Sequence, residues 1–447
     1  MRPAGETAGS NPHGRIARAL IIGVLFIGLA KVAGLAKELA MAWRFGSGPV
    51  ADAYALTFSL ASWPAAVWVS VATVLIVPLM VTARHDDPAR LNLLRRELIA
   101  AAMVLGAGLG LVVFISLNLG LMQGWLGIAL DRAAEARRMI GPLSLTVPLA
   151  AVSSVLAAWL IASQRQINTL FDGAPSLLLF VVLMALPLAD GAVVAWATAA
   201  GFGLQLLLLG AVQDRPALLL RPRLGFQSLQ WPDLWRGLGV LVVSQALVSV
   251  SGVIDQVSVV SLGPTSNATV GYASRLLLLV QSLASLAIVR ALLPILANAD
   301  YGDDRTRWRI AVQWAAMLTA GGALVSAIGW FLAPWGVAML FQRGDFTGED
   351  TLRVSEAVRF GLAQIPFYCA GIVLAQYVAA TRRYSLFLWG NGLNLLVKVA
   401  ANALLIPRLG VPGAMLATAI MYAGSMAFLW IFGRPGRGAV GPAAGVT

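Results

Sequence analysis

Apolar residues dominate this chain in long runs that are separated by short polar segments. Each run is about 20 residues or longer, the length that an α-helix needs to cross the hydrocarbon core of a membrane. The runs show no alternation of apolar and polar positions, so they favour helices over the strands of a β-barrel. The sequence therefore predicts an all-α polytopic membrane protein with about twelve transmembrane helices, approximately at 16–43, 51–81, 98–123, 139–163, 167–187, 190–213, 237–262, 268–299, 310–332, 352–380, 384–406 and 411–432.

The composition agrees with this pattern. Of the 447 residues, 59% are hydrophobic and 12% are charged, and the mean hydropathy is +0.81, which is far from the balance of a soluble globular protein. The formal net charge of +12 is a property that many nucleic-acid-binding proteins share. The arginines, however, are spread over short loops without a nucleic-acid-binding motif. We therefore expect membrane lipids as partners, and no nucleic acid.

The arginines also predict an orientation in the membrane. One set of loops, together with both terminal segments, carries 19 arginines, whereas the opposite set carries eight. Basic residues are enriched on the cytoplasmic side of membrane proteins. Both termini are therefore predicted to be cytoplasmic.

The chain divides near its middle at its longest polar connection, residues 214–236. We expect an N-terminal lobe at 1–213 with spans one to six, this cytoplasmic linker, and a C-terminal lobe at 237–447 with spans seven to twelve and a short tail. A weak repeat relates the segments GLAKELAMAWRFG and GVIDQVSVVSLG, which places Lys37 and Asp255 at equivalent positions of the two lobes. Charges at repeat-related positions indicate a central cavity between two six-helix lobes.

Several charged residues interrupt the predicted spans. A charge in the middle of a span costs roughly 2.5–3.5 kcal/mol on insertion scales, so such residues usually serve a site. Other roles remain open: Lys37 can extend to the interface, Asp52 can cap the second helix, Asp255 can hold a structural partner, and Lys398 can belong to a buried polar network. The candidate substrate-binding residues are Lys31, Lys37, Glu38, Asp52, Asp255, Arg275 and Lys398.

Enzymatic and metal chemistry find little support in the sequence. The chain has one cysteine, Cys369, inside a predicted span, so no intramolecular disulfide or thiolate metal site is expected. Its two histidines, His13 and His85, fall in the N-terminal tail and in a charged loop. No nucleophile or acid–base constellation accompanies them. We expect a transporter without catalytic residues or cofactors, although coupling to the membrane potential or to a cation stays open.

Four segments resemble a known family: AKVAGLAKELAMAWRFGSGPVADAY, GYASRLLLLVQSLASLAIVRALLPILA, LFQRGDFTGEDT and NLLVKVAANALLIPRLGVPGAMLATAI. They are similar to the MurJ/MviN-like lipid II flippases, within the superfamily of multidrug, oligosaccharidyl-lipid and polysaccharide exporters. The resemblance implies two six-helix bundles around a cationic cavity, in the cytoplasmic (inner) membrane of a bacterium. It also implies an undecaprenyl-pyrophosphate-linked glycan as substrate.

Site residues follow from the same resemblance. Lys31 and Lys37 stand where the family usually has arginines, Glu38 and Asp52 where it has acids, and Arg275 where it has an arginine in the eighth helix. The chain departs from the family at four positions that are usually charged, and it has twelve predicted spans where the family adds two more. Those four positions are Ala65, Ala66, Val69 and Leu278.

These observations favour a flippase that moves lipid II, or a related lipid-linked saccharide, to the outer leaflet by alternating access for cell-wall or surface-polysaccharide synthesis. Cell-envelope synthesis enzymes are candidate partners. One alternative is a cation-coupled drug exporter of the same superfamily, which should favour an acid-rich site. In the predicted spans, however, bases outnumber acids five to three. A second alternative is a membrane-embedded glycosyl or acyl transferase.

Overall fold

The fold is all-helical in a computed structural model that describes residues 12–86, 88–124, 130–163, 165, 167–186, 190–213, 222–225, 231–297, 304–381, 383 and 385–435. The helices are α1 (Pro12–Phe45), α2 (Pro49–Asp86), α3 (Pro88–Met122), α4 (Leu130–Ala162), α5 (Ile167–Phe171), α6 (Ala174–Ala185), α7 (Gly191–Ala211), α8 (Trp231–Val259), α9 (Ser266–Ala297), α10 (Asp304–Phe341), α11 (Gly348–Leu362), α12 (Gln364–Ala380), α13 (Ser385–Leu409) and α14 (Val411–Gly433).

Within the described residues, ten segments are long and apolar enough to cross a membrane. Two of these segments each join a pair of helices: α5 with α6, and α11 with α12. Helices α1 and α9, of 34 and 32 residues, are also long enough to span, and they carry the charged residues Lys31, Lys37, Glu38 and Arg275. With these two, the described residues hold up to twelve candidate spans, in agreement with the hydrophobic pattern, and the all-α polytopic fold is confirmed.

The helices form two lobes, α1–α7 and α8–α14. In the first lobe α4 is central and packs against α2, α3 and α7, while in the second α12 packs against α9, α10 and α14. Helix α2 contacts both α8 and α9 and therefore lines the seam between the lobes. The predicted linker 214–236 lies mostly outside the described residues, so the domain boundaries stay a prediction.

Backbone interruptions shape the first lobe near the seam. The segment Phe171-Asp-Gly-Ala-Pro-Ser176 separates α5 from α6, because Pro175 favours the first turn of a new helix. A Cβ at Gly201 of α7 would lie 2.6 Å from the Cα of Pro175, so the absent side chain lets α7 approach α6 closely. This break places Asp172 on a cavity wall of the lobe, where the residue is exposed.

The lobes are clamped together at the end where α1 meets α2. The Tyr272 hydroxyl donates to the Gly46 carbonyl at 2.7 Å, and the Asp345 amide donates to the Trp43 carbonyl at 3.0 Å. The Ser47 hydroxyl donates to the Asp350 carboxylate. By the distribution of arginines, this clamped end is the predicted outer end.

Two glycines make this close approach of the loops feasible. Gly46 and Gly344 both have positive φ values, of +53° and +60°, a conformation that residues with a Cβ rarely adopt. A Cβ at Gly46 would lie 2.4 Å from the Asp345 carbonyl oxygen, and one at Gly344 would lie 2.2 Å from the Trp43 carbonyl oxygen. The RFGSGP and LFQRGDFT segments thus fit each other across the seam.

Candidate functional site

An ion-pair cluster lies where α1 faces α9. Glu38 Oε1 is 2.8 Å from Lys37 Nζ and 3.2 Å from Arg275 Nε. Lys37 Nζ also lies 5.7 Å from the ring centroids of Tyr54 and Phe58, a distance suited to a cation–π interaction. The Arg275 side chain is 45% exposed, whereas those of Lys37 and Glu38 are 8% and 13% exposed. One carboxylate therefore holds two cations, and one of these is accessible from the cavity.

Three adjoining compartments surround this cluster, and Arg275 lines all of them. The central compartment, of about 280 Å³, lies between the lobes and is also lined by Glu38, Asp255 and Tyr272. The N-lobe chamber, of about 290 Å³, extends between α2, α4, α6 and α7. The lateral compartment, of about 210 Å³, lies between α1 and α9. Their volumes are near the lower end of those of ligand pockets, about 300–1,000 Å³ each.

The sequence-predicted residues Lys31, Lys37, Glu38, Arg275 and Asp255 all line this cavity. Lys31 is exposed and lines the lateral compartment, whereas Lys37 lines both the lateral compartment and the N-lobe chamber. The sequence thus predicted a set of residues that the fold gathers around one space. Their binding role stays a prediction.

Asp255 links the cavity wall to a buried network in the second lobe. Its Oδ1 lies 2.6 Å from Lys398 Nζ and accepts a hydrogen bond of 3.2 Å from Asn402. Lys398 is fully buried, and its ammonium also donates to the Ala414 carbonyl and the Thr418 hydroxyl. Lys398 therefore lies behind the cavity wall as the partner of Asp255. This position matches the buried polar network, the alternative role that the sequence allowed for Lys398.

Asp52 lies outside the three compartments, near the clamped end. Its carboxylate accepts a hydrogen bond of 2.9 Å from the Ala268 amide, in the first turn of α9, and pairs with Arg132 at 2.8 Å. Arg132 also donates to the Gly263 carbonyl at 3.0 Å. Asp52 thus accepts a hydrogen bond from an amide at the start of α9, and it does not cap its own helix, α2. Because α2 and α9 belong to different lobes, this contact joins the lobes. Arg132 is a partner that sequence reasoning missed.

Another missed residue is Asp172, which lines the N-lobe chamber beside Gln205 and Ser153. Its Oδ1 accepts a hydrogen bond of 3.0 Å from Gln205 Nε2. The signal in the sequence was an acid followed by glycine and proline inside an apolar run, which indicates a broken helix with a polar side chain at the break.

The charge balance of the cavity favours an anion by a small margin. Among the described residues, Lys31, Lys37 and Arg275 face three acids, Glu38, Asp172 and Asp255, and Lys398 compensates the last. A phosphate that replaced Glu38 at its two cations would gain charge-assisted hydrogen bonds. In the described part of the chain, no group of three His, Cys, Asp or Glu residues could hold a metal ion.

Comparisons with known proteins place the chain in a family. A family model described as the lipid II flippase MurJ matches residues 41–441. A lipid II flippase MurJ from Burkholderia cenocepacia is 26% identical over 419 residues, which cover 88% of this chain and 77% of that protein.

Solved structures with the same fold support the two-lobe architecture. A lipid II flippase MurJ in an inward closed conformation aligns with a TM-score of 0.76 at 15% identity, over 92% of this chain and 87% of that one. An inward-facing multidrug resistance transporter of the MATE family, in the MOP superfamily, aligns with a TM-score of 0.68 at 15% identity, over 90% and 93% of the two chains. These likenesses show the fold, while the family model covers most of the sequence. This chain therefore belongs to the MurJ lipid II flippase family, whose members are transporters and not enzymes.

Proposed function

We propose that this protein moves an undecaprenyl-pyrophosphate-linked glycan, lipid II or a related lipid-linked saccharide, from the cytoplasmic to the outer leaflet of the bacterial inner membrane. The observation that carries the proposal is the meeting of three compartments at Arg275, beside Lys37 and Lys31. A pyrophosphate that leaves water needs such cations, because at least two negative charges must be matched.

The compartments suggest a path for the two parts of the substrate. The central compartment and the N-lobe chamber hold the polar side chains that suit a headgroup. The lateral compartment carries leucines at positions 276, 278 and 279 of α9 and lies between α1 and α9, at the seam of the lobes. A polyprenyl chain in this gap would remain in contact with lipid while its pyrophosphate reached Arg275. Lys31, on the same wall, would meet the pyrophosphate first.

Binding of the pyrophosphate would exchange one ion pair for another. In the structure Glu38 holds Lys37 and Arg275, and a phosphate would replace Glu38 at one or both cations. Transport then requires the lobes to separate at the clamped end, where Asp52, Arg132 and the paired loops join them. Transporters that are built from two repeats commonly work by alternating access, in which the two lobes rock around a fixed binding site.

Two apolar wall positions bear on the choice of glycan. Val69 lines the N-lobe chamber, and Leu278 lines the central and lateral compartments. The family resemblance implies charged residues at both positions, so this cavity has fewer charges than the resemblance predicts. The lower number of charges favours a lipid-linked saccharide that carries fewer charged groups than lipid II. Such a saccharide should be tested as a substrate together with lipid II.

We also propose that both termini are cytoplasmic and that cell-envelope synthesis enzymes act with this transporter.

The test is reconstitution in proteoliposomes with a fluorescent polyprenyl-pyrophosphate saccharide, whose outer-leaflet fraction is read with a membrane-impermeant quencher. We expect faster translocation than in protein-free vesicles. A drug exporter, the second candidate because of the fold it shares with the MATE transporter, would instead move an organic cation such as ethidium. Movement of ethidium without movement of the saccharide lipid would refute the proposal.

A further inference from the structure

The N-lobe chamber has a lining unlike that of a plain anion site. Besides Lys37 and Arg275 at its wall, it presents several hydroxyl groups, one amide and one carboxylate. These come from three helices, α4, α6 and α7, and from the break between α5 and α6. The neutral and acidic members are Ser153, Ser154, Asp172, Ser176, Thr198 and Gln205.

Part of this polar lining is left for a ligand. Ser153 is only 4% exposed, yet its Oγ has no hydrogen-bond partner in the structure. By contrast, the neighbouring Ser154 donates to the Ala151 carbonyl at 2.7 Å. Asp172 accepts a hydrogen bond from Gln205, and a carboxylate can accept several more. A buried hydroxyl without a hydrogen-bond partner costs free energy. Because Ser153 lies on the cavity wall, its unpaired hydroxyl indicates a ligand group that forms a hydrogen bond with it.

Aromatic rings form another wall of the same chamber. The rings of Tyr54 and Phe58 stack with centroids 5.3 Å apart and an interplanar angle of 13°, and Phe202 also contributes to the lining. A pyranose ring has a C–H face that packs on an aromatic surface and hydroxyl groups that pair with serine, amide and carboxylate groups. The combination of both surfaces in one small chamber suits a sugar better than it suits a phosphate.

We propose that the N-lobe chamber binds the sugar that is bonded directly to the pyrophosphate, and that it takes one neutral pyranose ring. This inference rests on the proposed function. The first sugar must lie next to the phosphates, and both cations belong to the chamber wall. Arg275 also lines the other two compartments, and Lys37 also lines the lateral one. A volume of about 290 Å³ accommodates one ring, and the Asp172 carboxylate repels a sugar that carries a free carboxylate.

Two probes with a short chain separate the sugar from the pyrophosphate: farnesyl pyrophosphate, and farnesyl pyrophosphate bonded to one N-acetylglucosamine. Binding to the purified full chain is measured by isothermal titration calorimetry. We expect the sugar probe to bind about tenfold more tightly, the effect of one or two net hydrogen bonds. Ser153→Leu fills the chamber and should abolish this preference while farnesyl pyrophosphate still binds. Thr73→Leu is the matched control, since Thr73 is an exposed residue of α2 outside the chamber, and it should keep the preference.

Ser153→Ala is a second variant, for use if Ser153→Leu damages folding. The alanine leaves the space of the chamber open and removes only the hydroxyl. It should weaken the sugar probe about two- to tenfold and leave farnesyl pyrophosphate unchanged. Equal affinity of the native protein for both probes, or an equal change for both probes in Ser153→Ala, overturns the sugar subsite while the flippase stands. Failure of the native protein to bind either probe counts against the proposed function itself.

Discussion

Replacement of Glu38 by glutamine should tighten the binding of a pyrophosphate to this cavity. Glu38 holds Lys37 at 2.8 Å and Arg275 at 3.2 Å, so it competes with any anion for both cations. Glutamine has nearly the same shape, and its amide oxygen can still accept one hydrogen bond. The substitution therefore removes the competing charge and leaves most of the packing intact.

The size of the effect follows from the geometry. A phosphate oxygen within hydrogen-bonding reach of both cations must lie about 6 Å or less from the Glu38 carboxylate. Two like charges at about 6 Å repel by about 3 kcal/mol at an effective dielectric constant of about 20, and by about 0.7 kcal/mol in bulk water. The half-exposed Arg275 side chain places the site between these limits. We expect an affinity gain between about 3-fold and about 100-fold.

The assay is calorimetric titration of the purified protein with farnesyl pyrophosphate at low and high salt. The gain should shrink with salt, because exposed charges are screened. Glu349→Gln is the matched control, since Glu349 pairs with Arg353 on α11 away from the cavity, and it should leave the affinity unchanged. Weaker binding in Glu38→Gln would contradict the reasoning and would mean that Glu38 positions the cations for the substrate.

Three further predictions concern the surrounding structure. Asp255→Asn leaves Lys398 buried without its carboxylate, so thermal unfolding should show a loss of about 3–5 kcal/mol, and the added substitution Lys398→Met should restore most of it; equal losses in both variants would refute the pairing. Gly46→Ala places a Cβ 2.4 Å from a carbonyl oxygen of the opposite lobe, at a residue with a positive φ. Amide hydrogen exchange in the α1–α2 loop should therefore become faster, and unchanged exchange would show that the loop does not clamp the lobes. In a Cys369→Ala background, a cysteine at Gly348 should react with an impermeant thiol reagent in intact cells and one at Arg434 should not, whereas the reverse pattern would invert the orientation.

The sequence predicted the spans well because membrane helices must satisfy every backbone hydrogen bond internally and must be apolar over a fixed length. It also predicted that Lys37 and Arg275 lie near one site, since a charge within a span is costly unless the cavity or a partner compensates it. The pairing of Lys398 with Asp255 joins residues 143 positions apart in the sequence, and no local pattern specifies such a contact.

Other features depend on packing that the sequence pattern does not reveal. Asp52 was expected either in the site or as the cap of its own helix, and it instead accepts the amide of Ala268 across the seam of the lobes. Asp172 was overlooked because it falls inside an apolar run whose helix breaks at that residue. The fit between the loops of Gly46 and Gly344 likewise depends on how the lobes meet.

Under the proposed function, Lys37 and Arg275 bind the pyrophosphate of the lipid while the lipid crosses the membrane. The most direct measurement is the translocation rate of a polyprenyl-pyrophosphate saccharide in proteoliposomes that contain the double variant Lys37→Ala and Arg275→Ala. Arg408→Ala is the control, because Arg408 is exposed on α13, lies outside the three compartments and donates to the Leu404 carbonyl one helix turn away. We expect the double variant to fall to the rate of protein-free vesicles at normal protein content while the control transports at the native rate. Native transport by the double variant would contradict the cationic-cavity account.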